Sequence, residues 1–253
     1  MTSLPDNPSA TRLGLVIDLD TCVGCQACVV SCKEWNTGGH PAPLSDVDPY
    51  GTQPSGAWLN RVHTYEAGSR TVHFPRSCLH CARPDCVTVC PTGASYKRAE
   101  DGIVLVDEDL CIGCGLCAWA CPYGARELDV VGGVMKKCTL CIDRIYNENL
   151  PVEEREPACV AACPVQARHF GDLGDPHSSV SRLVAEREDL DLMPEMGYQP
   201  TNKYLPPRPR RDKPGCGQAS ELKTASPEGG FLGWLDAALS RRGRGGRYLL
   251  VGR

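Results

Sequence analysis

The chain has 253 residues, of which only 3 are Phe, 4 Met and 4 Trp, beside 26 Gly, 21 Pro and 17 Cys. That length suits one or two domains, but the composition excludes an ordinary apolar core. A formal net charge of −4 argues against a nucleic-acid partner, and no stretch approaches the ~18 apolar residues of a membrane span.

Residues 1–12 are polar and read as a loose segment lacking the apolar run of a signal peptide. A cytoplasmic chain is the default expectation, and a secreted disulfide framework explains the cysteines poorly. Leu13 to Leu19 predicts a strand that delivers Asp20-Thr21 to a first cysteine set, Cys22, Cys25, Cys28 and Cys32, spaced C-x2-C-x2-C-x3-C and followed by Lys33. Residues 33–77 form an insertion, Pro- and Gly-rich through 38–56. Within it, Trp58 to Tyr65 and Arg70 to Phe74 predict two strands that pair across Gly68-Ser69. His40, His63 and His73 lie in this region and are read as loop and sheet-face residues without chemistry.

The second set is Cys78, Cys81, Cys86 and Cys90-Pro91, with two extra residues between its second and third cysteines. Tyr96 to Val106 carries Asp101-Gly102 and then an alternating apolar run, a hairpin signal. The third set, Cys111, Cys114, Cys117 and Cys121-Pro122, matches C-x2-C-x2-C-x3-C-P residue for residue. Glu127 to Met135 predicts another hairpin turning at Gly132-Gly133. The fourth set is Cys138, Cys141, Cys159 and Cys163-Pro164, stretched by seventeen residues in which Ile142 to Asn149 predicts a helix. Beyond it, Asp175-Pro176 is expected to start a helix over Val180 to Arg187. Pro194 to Pro214 reads as an extended arm of the kind that lies on another surface. Cys216 stands alone as a free thiol, and Phe231 to Leu239 reads as a short apolar helix ahead of a basic tail, which we expect to dock on a partner.

Three thiolates on one tight loop can reach three corners of an iron-sulfur cube, while the fourth, starting a helix three residues on, points at a neighbouring cluster. The central sets then complement each other: Cys78, Cys81, Cys86 with Cys121, and Cys111, Cys114, Cys117 with Cys90. The outer sets do the same: Cys22, Cys25, Cys28 with Cys163, and Cys138, Cys141, Cys159 with Cys32. Zinc knuckles use C-x2-C pairs but require neither a third cysteine two residues on nor the closing C-x3-C-P. The expected fold is α+β, with two ferredoxin-like dicluster modules, one split around the other. Residues 78–121 are the inner module, 1–77 and 122–192 the outer one, and 193–253 the arm and short C-terminal helix. Four oxidised 4Fe-4S sites add about −2 each, so the loaded chain carries roughly −12. Their binding energy replaces much of the missing core, and no stable fold is expected without iron. His80, Lys97, Lys136, Lys137, Arg144 and Arg168 lie close to cysteines in sequence and are read as solvated surface groups.

Across residues 13–175 the four cysteine sets, with the stretched fourth, resemble the electron-transfer subunits of the complex iron-sulfur molybdoenzyme family. That family includes the iron-sulfur subunits of dimethyl sulfoxide, polysulfide and nitrate reductases. In nitrate reductase-like members a tryptophan at the second position of the third set leaves a 3Fe-4S cluster; here that residue is Cys114, which implies four 4Fe-4S clusters. Residues 32–39, 48–51, 58–63 and 193–208 are most similar to the quinone-linked sulfite dehydrogenase subgroup. The resemblance implies a molybdopterin catalytic subunit, a multi-span quinone-reactive membrane subunit, and electrons passing from sulfite through this chain to quinone. No residue of this chain is expected to be catalytic, so it is a subunit of an enzyme complex. A peripheral place on the cytoplasmic face of the inner membrane is implied, or the periplasmic face if a partner carries the chain across. Rivals are the same wire in a dimethyl sulfoxide, polysulfide, thiosulfate or tetrathionate enzyme, a free soluble polyferredoxin, and a cluster-based sensor.

Overall fold

A computed structural model describes residues 4–37, 58–67, 70–190 and 192–208. His40, Cys216, the Phe231 to Leu239 helix, the Pro-rich part of the insertion over 38–56 and the end of the arm over 209–214 lie outside the described residues. The elements in chain order are β1 (Leu13–Asp18), α1 (Ala27–Asn36), β2 (Asn60–Ala67), β3 (Arg70–Ser77), α2 (Asp85–Thr88), β4 (Ser95–Lys97) and β5 (Val104–Val106). Then follow α3 (Leu116–Trp119), β6 (Glu127–Asp129), β7 (Val134–Lys136), α4 (Ile142–Ile145), α5 (Ala158–Ala161), β8 (Arg168–Asp172), α6 (Ser179–Arg187) and β9 (Lys203–Leu205). This mixed content fits α+β. Among the described residues no helix is long and apolar enough to cross a membrane.

β1 is the middle of a three-stranded sheet ordered β8-β1-β9. It reads as a continuous apolar run because both its faces are covered. Leu15 and Ile17 enter the main core, while Val16 packs with Val180 of α6 and with Leu205 on the opposite side. β8 runs antiparallel to β1, with Leu13 opposite Asp172, so the strand ahead of the first cysteine set is stitched to the strand after the fourth. The other three sheets are the expected hairpins β2-β3, β4-β5 and β6-β7. Helix α1 packs on α5, and α2 on α3, so the helices of the outer sets face each other, as do those of the inner sets.

β9 departs from the sequence expectation. Residues 199–205 do not stretch away as an arm: Lys203 to Leu205 pair in parallel with Val16 to Asp18, and Thr201, Asn202, Tyr204 and Leu205 are buried. Tyr204 stacks on Phe74 with ring centroids 4.3 Å apart and donates its hydroxyl to the Pro75 carbonyl at 2.7 Å. The prolines around this strand suit it to the sheet edge, where a missing N–H is tolerated. Two helices also differ. The one after Cys141 is a single turn, because the chain leaves helical geometry at Tyr146 and the Asn147 side chain accepts from the Asn149 N–H instead. α6 is capped by Ser178, whose hydroxyl accepts from Ser181 N at 3.1 Å; Asp175 makes a separate turn with His177.

Candidate iron-sulfur centres

All four cysteine loops share one backbone device. The residue just before the second cysteine, Gly24, His80, Gly113 or Leu140, has positive φ in every set. This left-handed step folds the loop tightly enough for successive thiols to face one centre. A Cβ at Gly113 would collide with the Gly133 carbonyl oxygen, so the third set has no room for a side chain there. His80 and Leu140 accept the strained conformation and are fully buried.

The sixteen described cysteines form no disulfide. Cys22, Cys25, Cys28 and Cys163 line one cavity, and Cys90, Cys111, Cys114 and Cys117 line another. Burial drives Cys32 well above its ordinary pKa, with Cys138, Cys159 and Cys141 as its neighbours. Burial likewise raises Cys81, whose neighbours are Cys78, Cys121 and Cys86. Two cavities are thus each lined by three cysteines of one set and the fourth of another, and Cys32 and Cys81 have neighbours in the same crossed pattern.

The quartets are suited to a cationic core. Burial pushes Cys138 up to about 12 and both Cys121 and Cys159 to about 11, with neighbouring thiolates adding to the rise. Crowded thiols of this kind ionise only with positive charge between them, which is what an iron-sulfur core supplies. N–H groups already point at the sulfurs: Ser95 N donates to Cys90 at 3.3 Å, Ala167 N to Cys163 at 3.2 Å, and Met135 N to Cys111 at 3.3 Å. Asn36 Nδ2 donates to Cys141 at 3.4 Å. At Cys90 such donors, chiefly Ser95 and Thr92, outweigh burial and hold the thiol below its ordinary value. Among the described residues no group of three or more His, Cys, Asp or Glu is arranged to hold a single metal ion.

Three groups expected at the surface are buried instead. Lys137 is fully enclosed, with Nζ donating to the carbonyls of Val104 and Cys138. Arg168 donates to Cys159 Sγ at 3.4 Å and to Asn60 Oδ1 at 2.9 Å. His80 accepts the Val104 N–H at Nδ1, and burial with Lys137 nearby holds it neutral. Lys97 is half-buried, donating to the Cys81 and Gly102 carbonyls. Lys136 pairs with Glu108 and Asp129 nearer the surface, and Arg144 lies over the Trp35 ring. His63 is buried in β2, and His73 of β3 contacts the Thr64 hydroxyl across the hairpin. Arg126, which sequence reasoning missed, donates through Nη2 to Cys86 Sγ at 3.0 Å and to Ser95 Oγ at 2.7 Å. A signal was present: Cys121-Pro122-Tyr-Gly-Ala-Arg126 and Cys163-Pro164-Val-Gln-Ala-Arg168 both spell C-P-x-x-A-R.

Two family models, each described as a 4Fe-4S dicluster domain, match residues 21–94 and 69–173. Together with the sixteen cysteines, they fit four 4Fe-4S clusters. The chain is 60% identical over 205 residues to the B subunit of sulfite dehydrogenase from Allochromatium vinosum, covering 79% of this chain and 85% of that relative. It is 39% identical to the B subunit of tetrathionate reductase from Salmonella typhimurium, covering 77% of this chain and 72% of the relative. It is 36% identical to the B polypeptide of polysulfide reductase from Wolinella succinogenes, covering 78% and 95%. The chain belongs to the family of iron-sulfur electron-transfer subunits of molybdoenzyme complexes that includes these three proteins.

Proposed function

We propose that this chain conducts electrons through four 4Fe-4S clusters held by the four quartets, from a molybdopterin subunit that oxidises sulfite to a membrane subunit that reduces quinone. When bound, each core takes up or gives up one electron at a time. The chain's own residues hold, space and insulate those cores. The observation that carries the reading is the pair of cavities lined by cysteines of two different sets, supported for the outer sets by the β1–β8 stitching and the α1–α5 contact.

We order the centres by which thiols neighbour each other across the proposed quartets. Cys28 neighbours Cys159, Cys78 neighbours Cys138, and Cys86 neighbours Cys117. This links the Cys22 quartet to the Cys138 quartet, then to the Cys78 quartet, then to the Cys111 quartet. The two ends of that series hold the exposed cysteines, Cys25 and Cys114. Trp35, Val23 and Val30 are exposed near one end, and Trp119, Ile112 and Leu116 near the other. We assign these ends to electron entry and exit, with the two partners docking there and the chain lying peripherally on the membrane. The inner module over 78–121 and the split outer module around it are part of the same proposal. Sulfite is favoured over tetrathionate or polysulfide by the higher identity to the sulfite dehydrogenase relative. The two exposed ends count against a free polyferredoxin.

Purification of the tagged chain from its native membranes tests the assignment. Co-purification of a molybdenum subunit and a membrane subunit with sulfite-dependent quinone reduction is expected. A soluble, iron-loaded chain without partners would favour the polyferredoxin.

A further inference from the structure

Each ferredoxin-like half of the molecule contains one buried arginine placed between two cysteine quartets. Arg126 is 4% exposed and Arg168 is 3% exposed. Arg126 bonds to Cys86 Sγ of one quartet and lines the cavity of Cys90, Cys111, Cys114 and Cys117, the other. Arg168 bonds to Cys159 Sγ of one quartet and lines the cavity of Cys22, Cys25, Cys28 and Cys163, the other. Neither side chain has a carboxylate partner among the described residues. Arg126 Nε and Nη1 and Arg168 Nε are buried without a hydrogen-bond partner. A buried cation that lacks a carboxylate is costly unless other negative charge compensates it.

Both arginines sit five residues after the last cysteine of a C-x3-C-P motif, within the same C-P-x-x-A-R hexapeptide. The corresponding residue after Cys90 is Ser95, and Arg126 bonds to its hydroxyl, so the arginine of one half-repeat reaches the same position in the other. The two-fold-like repetition of the module therefore places one fixed charge at each internal junction. Arginine suits the position because it stays charged when buried and presents several donors.

We propose that Arg126 and Arg168 are positioning residues for charge, each raising the reduction potentials of the two clusters that flank it. This rests on the quartets being the cluster ligands. Reduction adds one negative charge to a core, and a fixed cation within a low-dielectric site stabilises that form. One arginine serving two neighbouring centres raises both together, which keeps their potentials within reach of each other and the electron moving between them.

The test is potentiometric titration, followed by electron paramagnetic resonance, of the complex purified from its native membranes with Arg126→Gln, Arg126→Lys or Arg168→Gln. In the unmodified complex, iron content and the number of centres judge the ligand reading independently of any variant. With R126Q, two of the four midpoint potentials fall and two stay; with R168Q the complementary two fall. R126K keeps its pair nearer the unmodified values. Loss of one pair of centres in R126Q with retention in R126K also supports the role of charge. No shift, an equal shift of all four potentials, or loss of the centres in both Arg126 variants would overturn the proposal.

Discussion

Asn202 donates through Nδ2 to the carbonyl of Cys78 at 2.9 Å, joining two residues 124 positions apart. The same amide accepts the Leu15 N–H through Oδ1 at 2.8 Å. One side chain thus ties the central strand to the first loop of the inner cysteine sets. Asn202→Ala orphans a buried donor and a buried acceptor, at roughly 1–3 kcal/mol each. We expect a lower midpoint for thermal bleaching of the iron-sulfur absorbance; an unchanged midpoint would contradict this role.

Arg61 and Glu127 form a buried ion pair at 2.7 Å that fastens the β2-β3 hairpin to β6. Glu127→Ala leaves the guanidinium without this carboxylate and should destabilise by about 3–5 kcal/mol. Replacing both with leucine should cost less than Glu127→Ala alone. Denaturant unfolding of the three iron-loaded chains checks the ranking.

His63 gives the fold a pH dependence. Burial first, with Arg76 and Arg61 nearby, lowers its pKa from 6.5 to about 4. The unfolded chain therefore binds a proton near pH 6.5 that the folded chain refuses until about pH 4, so stability is lost as pH falls across that window. The full loss is on the order of 3 kcal/mol. His63→Gln should flatten that part of the profile, seen as a smaller drop in thermal midpoint between about pH 7 and about pH 5. An equally steep drop in the variant would assign the dependence to other groups.

The crossing of ligands between distant sets has its own signature. Cys163→Ala should remove the same spectroscopic centre as Cys25→Ala, although 138 positions separate them, and should spare the centre lost in Cys141→Ala. Each variant should lose about four iron atoms or convert one centre to a 3Fe-4S form. Matching losses for Cys163→Ala and Cys141→Ala would instead mean that each set fills its own site.

Much of this was legible because cysteine spacing is local chemistry. A C-x2-C-x2-C-x3-C loop needs its turn, its left-handed residue and its following helix within about a dozen positions, so the sets and hairpins stand out in the chain. β9 did not, because its proline-flanked residues pair in parallel with a strand nearly two hundred positions earlier, and no local pattern announces that. Lys137 and Arg168 looked like surface charges because buried cations are rare, and only the folded quartets reveal the thiolates around them. Arg126 could have been found from the C-P-x-x-A-R repeat, had the two hexapeptides been set side by side.

The most direct measurement adds sulfite to the anaerobic complex from native membranes, follows the paramagnetic signals of reduced 4Fe-4S centres, and then adds quinone. Signals that grow with sulfite and fall again with quinone are the predicted result. Centres that stay oxidised under sulfite, in a complex whose iron content is complete, would contradict the assignment of this chain as the conductor between sulfite and quinone.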